Sequence, residues 1–134
     1  MNPNDIRYKY RAKVLRVIDG DTIVVEIDHG FRVFSHQTLR LFNINAPEVR
    51  GPEKEKGKAA TDHLVKLLIS YAANYVNGKL KGDCSVVYIE THKDRTGKYG
   101  RYLAELWGVD KDGNVVNLNE QMISDGYAVE IFSE

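Results

Sequence analysis

The stretch Ala12-Lys13-Val14-Leu15-Arg16-Val17-Ile18-Asp19-Gly20-Asp21-Thr22 carries an apolar run into a turn, and a second run, Thr22-Ile23-Val24-Val25-Glu26-Ile27, begins at once. β-Branched residues mixed with alternating charges (Lys9, Arg11, Lys13, Arg16) mark residues 8–18 as a strand. Asp-Gly ends it, because glycine permits positive φ and an aspartate can bond its own backbone. The second strand stops at Asp28-His29-Gly30, and a third begins at Phe31-Arg32-Val33 and resumes from Thr38 through Ile44. Three strands joined by short glycine-containing turns predict an antiparallel meander.

Further along, Pro47 ends the third strand and Arg50-Gly51-Pro52 makes a loop. From Lys56 the period changes. Ala60, Leu64, Leu67, Leu68 and Tyr71 follow helical spacing, with Lys58, Asp62, Lys66 and Ser70 on the other face. That helix is expected to end before Asn77-Gly78, with residues 79–83 as a polar connection. Residues 84–90 and 102–107 read as fourth and fifth strands, separated by the polar loop 91–100, and Asp110-Lys111-Asp112-Gly113-Asn114 reads as a turn. Asn117-Leu118-Asn119-Glu120 has the form of a capping box for a short helix with Leu118, Met122 and Ile123 on its apolar side and Gly126 at its C-cap. Residues 127–134 are apolar enough to dock but too few to assign. Five strands and two to three helices, with the strands segregated early, predict an α+β, mainly β fold. A small closed barrel is a natural way to hide the strand edges.

The 134 residues fit one domain, 1–134, with residues 1–8 as a flexible arm. Lys plus Arg and Asp plus Glu stand at 19 each, so bulk charge does not favour nucleic acid and any basic surface must be local. A single cysteine, Cys84, excludes an internal disulfide framework and a cysteine metal cluster. The first residues carry no signal-peptide h-region and no run has the length of a membrane span, so the reading is a cytoplasmic protein; a mature secreted form would look the same. Nothing demands more than a monomer or an obligate protein partner.

Chemistry gathers at strand ends. Asp19, Asp21, Glu48 and the amide oxygen of Asn45 are hard oxygen donors, suited to Ca²⁺ or Mg²⁺. Taken alone, Asp-Gly-Asp is usually just a turn, and its spacing fails the EF-hand loop. Arg40, between Leu39 and Leu41, is expected to be partly buried. Either a carboxylate, Asp19 or Glu48, answers its charge at the core edge, or the guanidinium is a fork for phosphate. Lys93, Arg95, Lys98, Tyr99 and Arg101, interleaved with Gly97 and Gly100, form either a phosphate-gripping loop or an ordinary solvated one. His29, His36, His63 and His92 show no pairing that suggests zinc. P-loop, nucleophile-elbow and dinucleotide-binding fingerprints are absent.

Val17-Ile18-Asp19-Gly20-Asp21-Thr22, then Leu39-Arg40-Leu41 with Asn45-Ala46-Pro47-Glu48, then Lys98-Tyr99-Gly100-Arg101 together resemble the staphylococcal nuclease (thermonuclease) family in order and approximate spacing. The likeness implies an OB-fold, a five-stranded β-barrel with helices packed on it, and Ca²⁺-dependent cleavage of phosphodiester bonds in DNA and RNA, other divalent cations being conceivable cofactors. By position it casts Asp21 as a direct metal ligand and Asp19 as a group outside the coordination sphere that orients water. Arg40 and Arg101 would grip the scissile phosphate, Glu48 would position or deprotonate the attacking water, and Lys98 and Tyr99 would hold a neighbouring phosphate.

Two departures matter. Asn45 stands where the family carries a metal-binding aspartate; its amide carbonyl still ligates Ca²⁺ but the site loses one negative charge, and Ala46 retains its backbone carbonyl. Phe132 stands where tyrosines flank the nucleotide base, so stacking survives without the hydroxyl contact. Asn45 also motivates an alternative: a nuclease-like module that binds single-stranded nucleic acid or a protein without cutting. The segment 74–82 is longer than usual for the family and receives no function.

Overall fold

Strand β1 (Tyr8–Asp19) serves two neighbours and must bend to do so. In the computed structural model, which describes residues 8–71, 75–76, 79–80, 85–92, 102–110 and 112–131, its register against β2 (Thr22–Asp28) shifts between Val14 and Arg16 and again between Val17 and Asp19. Irregularities of this kind add twist and curl a sheet toward closure. β2 pairs antiparallel with β3 (Phe34–Leu41), and the first half of β1 pairs with β7 (Ser85–His92), which pairs in turn with β8 (Tyr102–Val109). A parallel ladder between β3 and β8, Leu39 with Tyr102, Arg40 with Leu103 and Leu41 with Ala104, closes the barrel. The strand order around it, β1-β2-β3-β8-β7, is that of the OB-fold, and the architecture is α+β and mainly β.

Alternation fills the interior. Ile23, Val25, Leu39, Leu41, Val87, Ile89 and Leu106 point inward and are fully buried. Helix α1 (Lys54–Tyr71) buries Gly57, Ala60, Leu64, Leu67 and Leu68, while Lys58, Asp62, Lys66 and Ser70 are exposed, as its spacing predicts. Each buried leucine contributes about 1.5–3 kcal/mol of apolar transfer free energy. Helix α2 (Leu118–Ser124) starts at Asn117, whose side chain accepts the Glu120 N–H at 3.1 Å; Gly126, with φ of +84°, follows its end. Among the described residues no helix is long and apolar enough to cross a membrane.

Several short pieces are finer than the predicted pattern. β4 (Ile44–Asn45) pairs with β10 (Val129–Glu130), β5 (Tyr75–Val76) with β6 (Lys79–Leu80), and β9 (Val115–Asn117) extends the sheet beyond β8. The predicted third strand is corrected at both ends. Gly30, Phe31 and Arg32 all take positive φ (78°, 56° and 61°), so Phe31-Arg32-Val33 is a turn and β3 runs unbroken from Phe34. Asn43, with φ of 65°, ends it early and separates Leu41 from β4. Residues 1–7 of the expected arm and Cys84 lie outside the described residues.

Candidate active site

The β1–β2 turn is built by its own side chains. Asp19 Oδ1 accepts the Asp21 N–H at 3.1 Å, an Asx turn that folds the second carboxylate back into the protein. Gly20 does not use positive φ. It is small because a Cβ there would stand 2.7 Å from the Ala46 Cβ and 2.9 Å from that of Ala60, so close packing against α1 and the loop after β4 replaces the conformational role expected of it.

Asp21 is 4% exposed and its carboxylate is a knot. Oδ1 accepts the Thr22 hydroxyl at 3.0 Å, Oδ2 accepts the Ala46 N–H at 2.9 Å, and Arg40 Nη1 lies 3.4 Å from Oδ2. The backbone repeats the link: Asp21 O accepts the Leu41 N–H at 2.7 Å. Arg40 Nη2 donates to Asn45 Oδ1 at 3.1 Å and to Ile44 O at 3.3 Å. The carboxylate answering Arg40 is therefore Asp21, not Asp19 or Glu48. Register explains it: Arg40 faces Thr22 across the β2–β3 ladder, one residue from Asp21. Burial first, and then the adjacent Asp21, push the Asp19 carboxyl up to about 6.

Glu48 is exposed and lines a cleft of about 510 Å³ together with Asn45, Ala46, Arg50, Tyr127 and Val129. Its backbone is held from behind by α1. A Cβ on Gly57 would overlap the Glu48 carbonyl and stand 2.7 Å from Val49 N. Thus Asp21, Arg40, Asn45 and Ala46 meet at one corner, Asp19 adjoins them, and Glu48 opens onto the cleft that Asn45 and Ala46 share. Lys98, Tyr99, Arg101 and Phe132, with the rest of the basic run 93–101, lie outside the described residues; Tyr102, next to Arg101 in sequence, pairs with Leu39 beside Arg40.

Sequence reasoning missed two residues that support this corner. One is Gly57, which only its close approach to Glu48 betrays. The other is Asn119, 3% exposed, whose Oδ1 accepts the Leu106 N–H at 3.0 Å while Nδ2 donates to Phe42 O at 2.9 Å and Ala104 O at 3.0 Å. Its place beside Leu118 on the buried side of α2 was the available signal. Three histidines have ordinary partners: His63 bonds Asp125 at 2.7 Å and stacks on Tyr127, His36 meets Glu26 at 3.0 Å, and His29 bonds Ser35 at 2.5 Å.

Residues 38–134 match the family model described as staphylococcal nuclease homologue. The chain is 32% identical to a thermonuclease of Staphylococcus hyicus over 130 residues, covering 95% of this chain and 60% of that protein. It is 28% identical to an uncharacterized protein of Methanocaldococcus jannaschii over 131 residues, covering 92% of this chain and 60% of that protein. A thermonuclease of Staphylococcus intermedius is 31% identical over 105 residues, 76% of this chain and 51% of the relative. The chain thus spans between half and about 60% of the length of these curated relatives. With a matched segment that takes in the second half of β3, the Asn45-Ala46-Pro47-Glu48 loop, both helices and the closing strand β8, the chain belongs to the staphylococcal nuclease family.

Proposed function

We propose that the chain is a Ca²⁺-dependent nuclease that hydrolyses phosphodiester bonds of DNA and/or RNA. The observation that carries this reading is the Arg40 guanidinium, held at the barrel seam between Asp21 and Asn45 rather than turned to solvent. Such a fork, half in the protein, matches the two oxygens of a phosphate.

Asp21, the Asn45 amide oxygen and the Ala46 backbone carbonyl would hold the ion, with Asp19 behind them. All are oxygen donors, which suits calcium. When bound, the cation supplies neutralising charge beside the ester phosphate. Arg40, with Arg101 as its expected partner, binds the non-bridging oxygens and stabilises the charge that builds on them as phosphorus becomes five-coordinate. Glu48, exposed in the cleft, orients a water and accepts its proton as the new P–O bond forms and the opposite P–O bond breaks. Lys98 and Tyr99 are expected on the neighbouring phosphate and Phe132 under a base.

Plasmid and single-stranded DNA and RNA incubated with Ca²⁺ or EGTA test this. Cleavage that EGTA abolishes is expected; no cleavage with any divalent ion by protein of native circular dichroism would refute it. One observation favours a second reading, a binding module: Asn45 Oδ1 already accepts from Arg40, and no carboxylate replaces it. Calorimetric binding of single-stranded nucleic acid without turnover would select that reading.

A further inference from the structure

The cross-strand ladder between β7 and β8 sets Glu90 directly opposite Glu105, and His92, two residues on along the same face of β7, is their diagonal neighbour. One ligand atom from each of the three side chains can be chosen so that all lie within 4.8 Å of one another, with His92 Nε2 3.8 Å from Glu105 Oε2. All three residues are half-buried. His92 Nε2 is itself buried and, among the described residues, has the long approach to Glu105 but no hydrogen-bond partner, which is costly for a ring nitrogen, and the ring is fixed by stacking on Phe42 with centroids 4.1 Å apart and planes within 10°.

We propose that Glu90, His92 and Glu105 form a binding site for a divalent transition-metal ion of the zinc type, separate from the corner at Asp21. The imidazole selects such an ion over calcium or magnesium, and one nitrogen with two carboxylate oxygens is a donor set that zinc accepts. A tetrahedral zinc with bonds of about 2.0–2.1 Å holds its ligands roughly 3.4 Å apart, so side-chain shifts of about an ångström complete the site. The ion would tie β7 to β8 and satisfy the orphan nitrogen, stabilising the barrel by linkage. It revises the expectation that no histidine here is a ligand, and does not depend on the nuclease reading.

The test is calorimetric titration of the tag-free, chelator-stripped chain with ZnCl₂ alone, together with melting with and without zinc. One saturable site and a zinc-dependent rise in melting temperature are expected. His92→Ala and the isosteric Glu105→Gln should each weaken zinc binding at least tenfold and remove the thermal shift. His36→Ala, which breaks a different histidine–glutamate pair, should leave both intact. Cobalt(II) in place of zinc should give visible absorption that His92→Ala abolishes, a readout specific for the imidazole. No saturable zinc site in the wild-type chain, or less than threefold weakening in a Glu105→Gln variant of native circular dichroism, would overturn the proposal.

Discussion

Replacing Gly57 with alanine tests how the helix positions the Glu48 carboxylate. The added methyl would meet the backbone of Glu48–Val49, so no flexible side chain can yield. Ordinary contact requires α1 and the loop to part by roughly an ångström. Overpacking of this sort costs about 1–3 kcal/mol, and the better helix propensity of alanine returns about 0.5–1 kcal/mol, leaving a net loss of about 1–2 kcal/mol. A domain of ordinary stability stays folded at 25 °C after such a loss. Activity should fall further, because a 1 Å misplacement of a reacting group can cost about 10²-fold. The assay is single-turnover cleavage of an oligonucleotide beside a urea denaturation curve, for Gly57→Ala, Glu48→Gln and the double variant. If Gly57 acts through Glu48, the double variant should be little worse than Glu48→Gln alone. Wild-type rates in Gly57→Ala, or fully additive losses, would refute the reasoning.

Arg40→Ala should lower kcat by about 10²-fold or more in the cleavage assay, as loss of a charge-stabilising donor does elsewhere. Asn45→Asp should tighten Ca²⁺ by roughly tenfold, read by calorimetry, since it restores a carboxylate ligand. Asn119→Ala should lower unfolding free energy by about 3 kcal/mol in urea, about one for each of three hydrogen bonds, two of them buried. The Asp125 carboxyl is held below its ordinary range, chiefly by the bond from His63. The unfolded chain therefore takes up that proton first as pH falls, so the bond's stabilisation is present above the unfolded value near 4 and lost below it. The difference in urea midpoint between wild type and Asp125→Asn should accordingly be present at pH 6 and shrink progressively as pH falls below about 4.

Much of the fold was legible because its signals are periodic. Residues 8–14 and 23–27 alternate, and Ala60, Leu64, Leu67 and Leu68 repeat at helical spacing; these elements are where the pattern puts them. Phe31-Arg32-Val33 misled because aromatic and β-branched residues imply a strand, whereas Gly30 begins three left-handed residues. The two-residue pairs β4–β10 and β5–β6 are shorter than any period. At the site, Asp21, Arg40 and Asn45 could be singled out by residue type, but which of them touch depends on register, and Arg40 found Asp21. Gly57 was invisible, and Asn119 marked only by its place beside Leu118, for a related reason. Their roles lie in what a distant segment brings against them.

The parallel seam between β3 and β8 joins residues some sixty positions apart in the chain, and Arg40 sits on it, one residue from the Leu41 amide that bonds Asp21. Loop closure over such a span is entropically demanding, so this join is favoured only once the hairpins on either side have formed. The Asp21–Arg40 pair belongs to the β2–β3 hairpin and precedes the seam, whereas Tyr102–Ala104 reach Leu39–Leu41 only when the seam closes, so a partly zipped chain would hold the pair without holding β8 beside it. Exchange protection of the Phe42 amide, which donates to the Ala104 carbonyl across the seam, should therefore track catalytic competence more closely than secondary-structure content does.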